Sequence, residues 1–192
     1  RPHPIPGFAE MSSMNPLFIF PGAQRERGAT IATGLAGSFT MGVGQFCTKP
    51  GLVFALRGPD TDAFLAKLTE TVRGVACGTM LTSGIRDAFV ENRSNVHGIA
   101  GVKPLVAAGA DVNATRTEAQ PSVATTTVQD FLAHPEVATE AFGPFTVVVL
   151  ADKLEDFTAC ANALEGQLTA TIHGNSSDFA AARPLFAVLE QK

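Results

Sequence analysis

The chain has 192 residues, of which 45% are apolar and 17% are charged, and its formal net charge is −4. This composition is typical of one folded α/β domain over residues 1–192 and excludes a disordered chain. Without a basic cluster, it also excludes nucleic acid as a partner. No apolar run approaches the ~20 residues of a membrane span and no signal peptide is recognisable, so we expect a cytoplasmic protein. The three cysteines are far apart and are expected to be free thiols.

The first third of the chain predicts two strands and two helices. Residues 17–20 form an apolar run closed by a Pro-Gly pair, which predicts a buried strand. Residues 28–39 carry apolar side chains at helical spacing among alanine, glycine and threonine, which predicts a helix that is buried nearly all round. A predicted strand over residues 52–56 is followed by a helix that Asp60 or Thr61 is expected to cap.

The middle of the chain leads to the strongest strand signal. A short helix is predicted over residues 84–91, followed by strands over 105–108 and 122–126 and a brief helix capped by Thr127. Residues 145–150 are continuously apolar or β-branched, which predicts a central strand covered on both faces.

The last predicted elements complete the alternation of strands and helices. Asp152 is expected to cap a helix, residues 168–172 to form a strand, and Ser176 or Ser177 to start a final helix, in which Pro184 indicates a kink or a fresh start. This alternation predicts an α/β fold, with an open, mostly parallel sheet and helices on both of its faces.

Cys47 lies in the run GVGQFCTKP over residues 42–50, between a predicted helix and a predicted strand. A thiol at such a junction, with glycines that let other groups approach the backbone, is well placed to act as a nucleophile. The alternative is a buried structural cysteine, which is what most free cysteines are. As a nucleophile, Cys47 is expected in a loop near the carboxyl ends of strands, facing a cleft.

Two glutamates are candidates for a role beside the thiol. Glu10, in FAEMSSMNP, comes just before a polar turn and a buried strand, where a general base is well held. Glu140, in TEAFGP, directly precedes the predicted central strand. The alternatives are a solvated surface carboxylate for Glu10 and an ordinary loop carboxylate before a Gly-Pro turn for Glu140.

The segments FAEMSSMNP, GSFTMGVGQFCTKPG and EAFGPFTVVV, in this order and spacing, closely resemble the catalytic half of the aldehyde dehydrogenase superfamily. Within it they are most similar to the bacterial 2,5-dioxovalerate (α-ketoglutaric semialdehyde) dehydrogenases, which use NADP or NAD. The stretches LTATIHG and ARPLFAVLEQK also resemble that subgroup. The resemblance covers essentially the whole chain.

The resemblance implies a role for each candidate residue. Cys47 matches the catalytic nucleophile, and Glu10 matches the glutamate that activates water. Glu140 matches the residue that holds the hydroxyls of the nicotinamide ribose, and Phe142 matches the aromatic that packs near the nicotinamide. Part of the substrate pocket would be lined by Phe39, Met41, Phe46 and Thr48. No metal is implied.

The implied reaction explains why these residue types are needed. A thiolate adds to the aldehyde carbonyl to form a thiohemiacetal, and hydride then leaves for C4 of the nicotinamide to give a thioester. A base-activated water releases the carboxylic acid. The small-molecule aldehyde, a semialdehyde such as 2,5-dioxovalerate, is the expected substrate.

The sequence also departs from the family pattern. After Glu10 the family usually continues with two glycines and a lysine, whereas this chain continues with MSSM, a change that recurs in the dioxovalerate subgroup. Nothing matches the dinucleotide-binding half or the oxyanion asparagine. The resemblance therefore implies a truncated catalytic domain with the cofactor-binding domain absent. We expect the isolated chain to be inactive and to self-associate, and its parent to be a homo-oligomer.

Two other functions remain open. The chain would be a non-catalytic α/β interaction module if Cys47 is structural. It would be a cysteine hydrolase if His97 or His173 activates Cys47, although neither histidine lies in a recognisable catalytic signature.

Overall fold

The structure is a computed structural model that describes Ile5 and residues 11–109 and 112–192. Six strands form one sheet in the order β4-β6-β7-β2-β1-β8, and β3 and β5 form a separate antiparallel pair. The strands are β1 (Leu17–Ile19), β2 (Leu52–Leu56), β3 (Gly78–Thr79), β4 (Lys103–Val106), β5 (Glu118–Ala119), β6 (Ser122–Thr127), β7 (Phe145–Ala151) and β8 (Thr171–His173). All neighbours in the large sheet are parallel except β4 and β6, which confirms the predicted mostly parallel sheet.

Helices cover both faces of the sheet, as predicted. They are α1 (Pro21–Thr40), α2 (Pro59–Arg73), α3 (Ser83–His97), α4 (Val128–Ala133), α5 (Glu155–Ala163) and α6 (Phe179–Leu189). On one face, α1 and α2 pack on Ile19, Val53 and Val148. The other four helices bury the opposite face, where the rings of Phe18 and Phe54 stack at 4.7 Å.

The predicted central strand is confirmed by β7. It pairs with β6 on one side and β2 on the other, and Val147, Val148 and Val149 are fully buried. A β-branched run fits this place because both faces of a parallel strand are covered by helices.

Helix α1 is longer and more exposed than the sequence predicts. It begins at Pro21 and is kinked at Arg27, whose backbone is non-helical (φ −142°, ψ 27°), so the predicted helix over 28–39 is its second part. The expectation of burial nearly all round is wrong. An outer face of small residues is open to solvent: Ala29, Thr30, Thr33, Gly34, Gly37 and Ser38. Small side chains add little apolar surface, so this face does not need to be covered.

The start of α1 is satisfied by a carboxylate from far along the chain. Asp178 accepts hydrogen bonds from the main-chain N–H groups of Gly22 (2.9 Å) and Ala23 (3.0 Å). The first main-chain amides of a helix have no partner within the helix, and this buried carboxylate satisfies two of them. A Cβ atom at Gly22 would lie 2.6 Å from Asp178 Oδ2, so this contact needs glycine.

Helix capping follows the prediction at α4 but not at α2 or α5. Thr127 accepts a hydrogen bond from a main-chain N–H of α4 at 3.1 Å, as predicted. Neither Asp60 nor Thr61 caps α2, which starts after a glycine without a side-chain cap. At α5 the direction is reversed, because Asp156 inside the helix accepts from the N–H of Asp152 at 3.1 Å.

The final helix also differs from the prediction. It starts at Phe179 rather than at Ser176 or Ser177, and it continues through Pro184. Proline removes one helical hydrogen bond, but Pro184 is exposed, so water can satisfy the carbonyl that loses its donor. Within the described residues, every helix is too short or too polar to cross a membrane.

Candidate active site

The three segments that the sequence singles out meet at one edge of the large sheet. Residues 11–16 precede β1, Cys47 precedes β2 and Glu140 precedes β7. Because β1, β2 and β7 are parallel neighbours, their amino ends lie at the same edge. The expectation that Cys47 lies at the carboxyl ends of strands is therefore wrong, since the cysteine comes before its strand instead of after it.

The turn ahead of Cys47 has a left-handed backbone. It is a short 3-10 segment, Met41–Gly44, in which Gly42 (φ 55°) and Val43 (φ 58°) both lie in the left-handed region. A β-branched residue rarely adopts this conformation, so the surroundings must hold it. Val43 packs closely on Gly78, where an added Cβ would lie 2.6 Å from a Val43 methyl group.

Gly44 brings the cysteine loop into contact with the loop that carries Glu140. Its φ is 68°, and a Cβ atom at this position would overlap the backbone of Gly143 and Pro144. Only glycine permits both the left-handed backbone and this approach. Gln45 braces the same loop, since its Oε1 accepts from the N–H of Leu81 at 2.9 Å.

Asn15 holds the cysteine loop from the other side. Its buried side-chain Nδ2 donates to the carbonyl oxygens of Cys47 (2.9 Å) and Lys49 (3.0 Å). Its Oδ1 accepts from the hydroxyl of Thr169 at 3.0 Å. Asn15 was not among the candidates predicted from the sequence. The available signal was its place directly before Pro16, since asparagine is a residue type that tolerates the observed φ of 47°.

Glu140 is half-buried and is held at both its side chain and its backbone. Its Oε2 accepts from the N–H of Ser13 at 3.4 Å, and its carbonyl accepts from Asn92 Nδ2 at 3.0 Å. A carboxylate has about four acceptor positions, so Glu140 retains capacity for the hydroxyl groups of a ligand. Phe142, also half-buried, follows in the same loop.

Lys49 is a buried amine between the two loops, and no sequence pattern predicted a role for it. It is 2% exposed, and its Nζ donates to the carbonyl oxygens of Ala141 (3.3 Å) and Phe145 (3.0 Å). Burial lowers the pKa of Lys49 to about 8, and the nearby Glu140 carboxylate partly opposes this shift.

The proposed nucleophile and most of the proposed pocket residues are at the surface. Cys47 is exposed, as are Met41, Phe46 and Thr48. Phe39 is different. It lies on α1 and is fully buried in the core that α1 and α2 form with the sheet, so its side chain presents no surface to a substrate. Glu10 lies outside the described residues.

The other cysteines and the histidines are less suited to chemistry. The three cysteines are free, as predicted, with Cys77 half-buried and Cys160 buried. Burial lowers the pKa of both His97 and His173, and within the described chain neither histidine hydrogen-bonds to Cys47. The described residues also contain no group of three His, Cys, Asp or Glu side chains that could hold a metal.

Known proteins are similar to this chain in sequence. The sequence profile described as the aldehyde dehydrogenase family matches residues 5–183. The whole chain is 44% identical to α-ketoglutaric semialdehyde dehydrogenase 2 of Azospirillum brasilense and 35% identical to α-ketoglutaric semialdehyde dehydrogenase of Acinetobacter baylyi. In each case it spans 36% of the relative's length.

Solved structures are similar to this chain in fold. The solved structure of PnpE in complex with nicotinamide adenine dinucleotide has a TM-score of 0.76 and 22% identity, over 94% of this chain and 37% of that one. PnpE comes from Pseudomonas sp. WBC-3. With a profile match over nearly its entire length, the chain belongs to the aldehyde dehydrogenase family.

Proposed function

We propose that the chain is the cysteine-bearing catalytic part of a longer aldehyde dehydrogenase, whose cofactor-binding domain lies outside these 192 residues. The proposed activity is oxidation of an aldehyde to the carboxylic acid with NAD(P)+. The observation that carries the proposal is the contact between the exposed Cys47 loop and the Glu140 loop at one sheet edge. The chain spans 36% of the length of both curated relatives, which supports a further domain in the proposed enzyme.

In the proposed reaction, Cys47 forms the covalent bond to the substrate. Its thiolate attacks the carbonyl carbon, forming a C–S bond and a thiohemiacetal alkoxide. A nicotinamide held by Glu140 and Phe142 would supply the acceptor for the hydride that this carbon loses, and Cys47 would then carry a thioester. Water, deprotonated by Glu10, then attacks the thioester carbon, the C–S bond breaks, and the acid and the thiolate are released.

Glu140 and Phe142 are the proposed contacts to the nicotinamide half of NADP or NAD. Glu140 suits ribose hydroxyls because it is half-buried, fixed at its carbonyl by Asn92, and still has acceptor capacity. Met41, Phe46 and Thr48 are the proposed pocket residues on this side, since all three are exposed around Cys47. The names of the curated relatives support a semialdehyde such as 2,5-dioxovalerate as the substrate.

We further propose that the isolated chain binds NAD(P) weakly and oxidises no aldehyde, because only the Glu140 side of the cofactor site lies in it. One carboxylate contributes on the order of 1–3 kcal/mol to binding, which is less than the entropy lost on association. The outer edge of β8 has no partner strand among the described residues, which favours self-association. A cytoplasmic location and a homo-oligomeric parent remain predictions.

The test uses the longer enzyme with three substitutions at the proposed site and one control substitution. Cys47→Ala should abolish aldehyde oxidation, whereas the control Cys77→Ala should leave it intact. Glu10→Gln should slow release of the acyl group, and Glu140→Gln should raise the KM for the cofactor. Full activity of the Cys47→Ala enzyme would refute the proposed function.

A further inference from the structure

Lys49 occupies a place where packing alone would favour an apolar residue. A lysine is rarely buried to 2% exposure, because its ammonium group loses its hydration. An ammonium group in such a place is tolerated only where hydrogen bonds offset the hydration that it loses. A role other than stability would account for the lysine at this position.

The contacts of Lys49 indicate what that role is. Its two acceptors, the carbonyl oxygens of Ala141 and Phe145, lie on either side of residues 142–144 in the proposed cofactor loop. Its own carbonyl is fixed by Asn15, which also fixes the carbonyl of Cys47. The lysine therefore joins the backbone that carries the thiol to the backbone that carries the proposed nicotinamide contacts.

The charge of Lys49 acts on the same loop. Glu140 directly precedes Ala141, and its carboxylate attracts the ammonium group. The backbone of Glu140 is also held by a neutral side chain, since Asn92 Nδ2 donates to the Glu140 carbonyl oxygen at 3.0 Å.

We propose that Lys49 is a positioning residue, which sets the distance and orientation of the Glu140–Phe142 loop relative to Cys47 and so aligns the cofactor with the thiol-bound substrate. This inference rests on the proposed function for its catalytic consequence. Its structural part, the fixation of the loop by Lys49, does not depend on activity.

The first experiment measures hydrogen–deuterium exchange in the 192-residue chain. In Lys49→Met, the amides of residues 139–145 should exchange about tenfold faster or more, while those of β1 and β2 remain unchanged. Lys49→Arg, which keeps the charge and two donors, should restore most of the protection. Lys153→Met, at an exposed lysine, is the control and should match the unmodified chain. If Lys49→Met does not fold, Lys49→Gln replaces it.

The second experiment separates positioning from general damage in the longer enzyme. Lys49→Met should raise the KM for NAD(P)+ by about tenfold. The rate at which iodoacetamide alkylates Cys47 should change by less than about twofold, because Asn15 still holds the cysteine loop. The proposal would be overturned by faster exchange throughout the chain or by unchanged exchange in residues 139–145. An unchanged KM for NAD(P)+ would also overturn it. If the longer enzyme oxidises no aldehyde, the proposed function fails, and the exchange experiment still decides whether Lys49 fixes the loop.

Discussion

The side-chain amide of Asn15 lies 2.9 Å from the carbonyl oxygen of Cys47 and donates a hydrogen bond to it. The same nitrogen donates to Lys49, so the backbone on both sides of Thr48 is held by one residue. Asn15 reaches this position with a φ of 47°, a conformation that asparagine adopts more readily than most residues. The segment before β1 therefore determines where the thiol lies.

Asn15→Ala should lower the free energy of unfolding by about 2–4 kcal/mol, because it leaves the Cys47 and Lys49 carbonyls without their donor and puts alanine in a left-handed conformation. Urea unfolding followed by circular dichroism measures this change. Asn162→Ala is the matched control, since Asn162 is exposed and should stay within about 0.5 kcal/mol of the unmodified chain. Equal effects of the two substitutions would contradict the role of Asn15.

Gly44→Ala should destabilise the chain by about 2 kcal/mol or more, since the new methyl group would overlap the backbone of Gly143 and Pro144. Gly34→Ala provides the control on α1, where no atom lies within 4 Å of an added Cβ. Alanine is the better helix former, so Gly34→Ala should stabilise the chain by about 0.5–1 kcal/mol. Thermal unfolding of both variants tests the contrast, and stabilisation by both would refute the close contact.

Lys49 should make the chain more stable as the pH rises above neutrality. Its pKa is 10.5 without the fold and about 8 in the folded protein. Between these values the unfolded chain holds a proton that the folded protein has released, so the free energy of unfolding increases with pH. The full increase is on the order of 3 kcal/mol.

Urea unfolding at several pH values across this window, in the unmodified chain and in Lys49→Met, isolates the contribution of Lys49. The variant should lack the increase. Cys160 changes stability in the opposite direction, since its pKa is raised to about 12 by burial and by Asp156. This effect cancels in the difference between the two proteins. If the difference in the free energy of unfolding between the two proteins did not vary with pH, burial would not lower the pKa of Lys49.

The three thiols should react in the order of their exposure. Cys47 is exposed, Cys77 is half-buried, and Cys160 is buried with a pKa that disfavours the thiolate. We expect an electrophile to label Cys47 first and Cys160 only on unfolding. Peptide mapping by mass spectrometry after timed labelling gives the three rates, and labelling of Cys160 at the rate of Cys47 would be incompatible with this fold.

Much of the sheet follows from local sequence patterns. The strand over residues 52–56 is found at the predicted positions, and the predicted β6 and β7 differ from the structure by one residue at their ends. These strands are apolar or β-branched runs buried in a parallel sheet, so composition alone identifies them. The proximity of Cys47 and Glu140 followed from the family resemblance, not from any local pattern.

The long-range contacts around the site were beyond sequence reasoning. The bonds from Asn15 to the cysteine loop and from Lys49 to the Glu140 loop join residues 32 to 96 positions apart. Phe39 shows the same limit. Its aromatic side chain is equally suited to a pocket or a core, and only the packing of α1 on α2 decides that it belongs to the core.

The bond between Asp178 and the start of α1 constrains the order in which the protein matures on the ribosome. Gly22 and Asp178 are 156 positions apart, and synthesis at about 5–20 residues per second separates their appearance by on the order of 10 s. During this interval α1 lacks the carboxylate that satisfies its first amides. A nascent chain that is released or cleaved before Asp178 would therefore carry a complete cysteine loop on a helix with a frayed beginning.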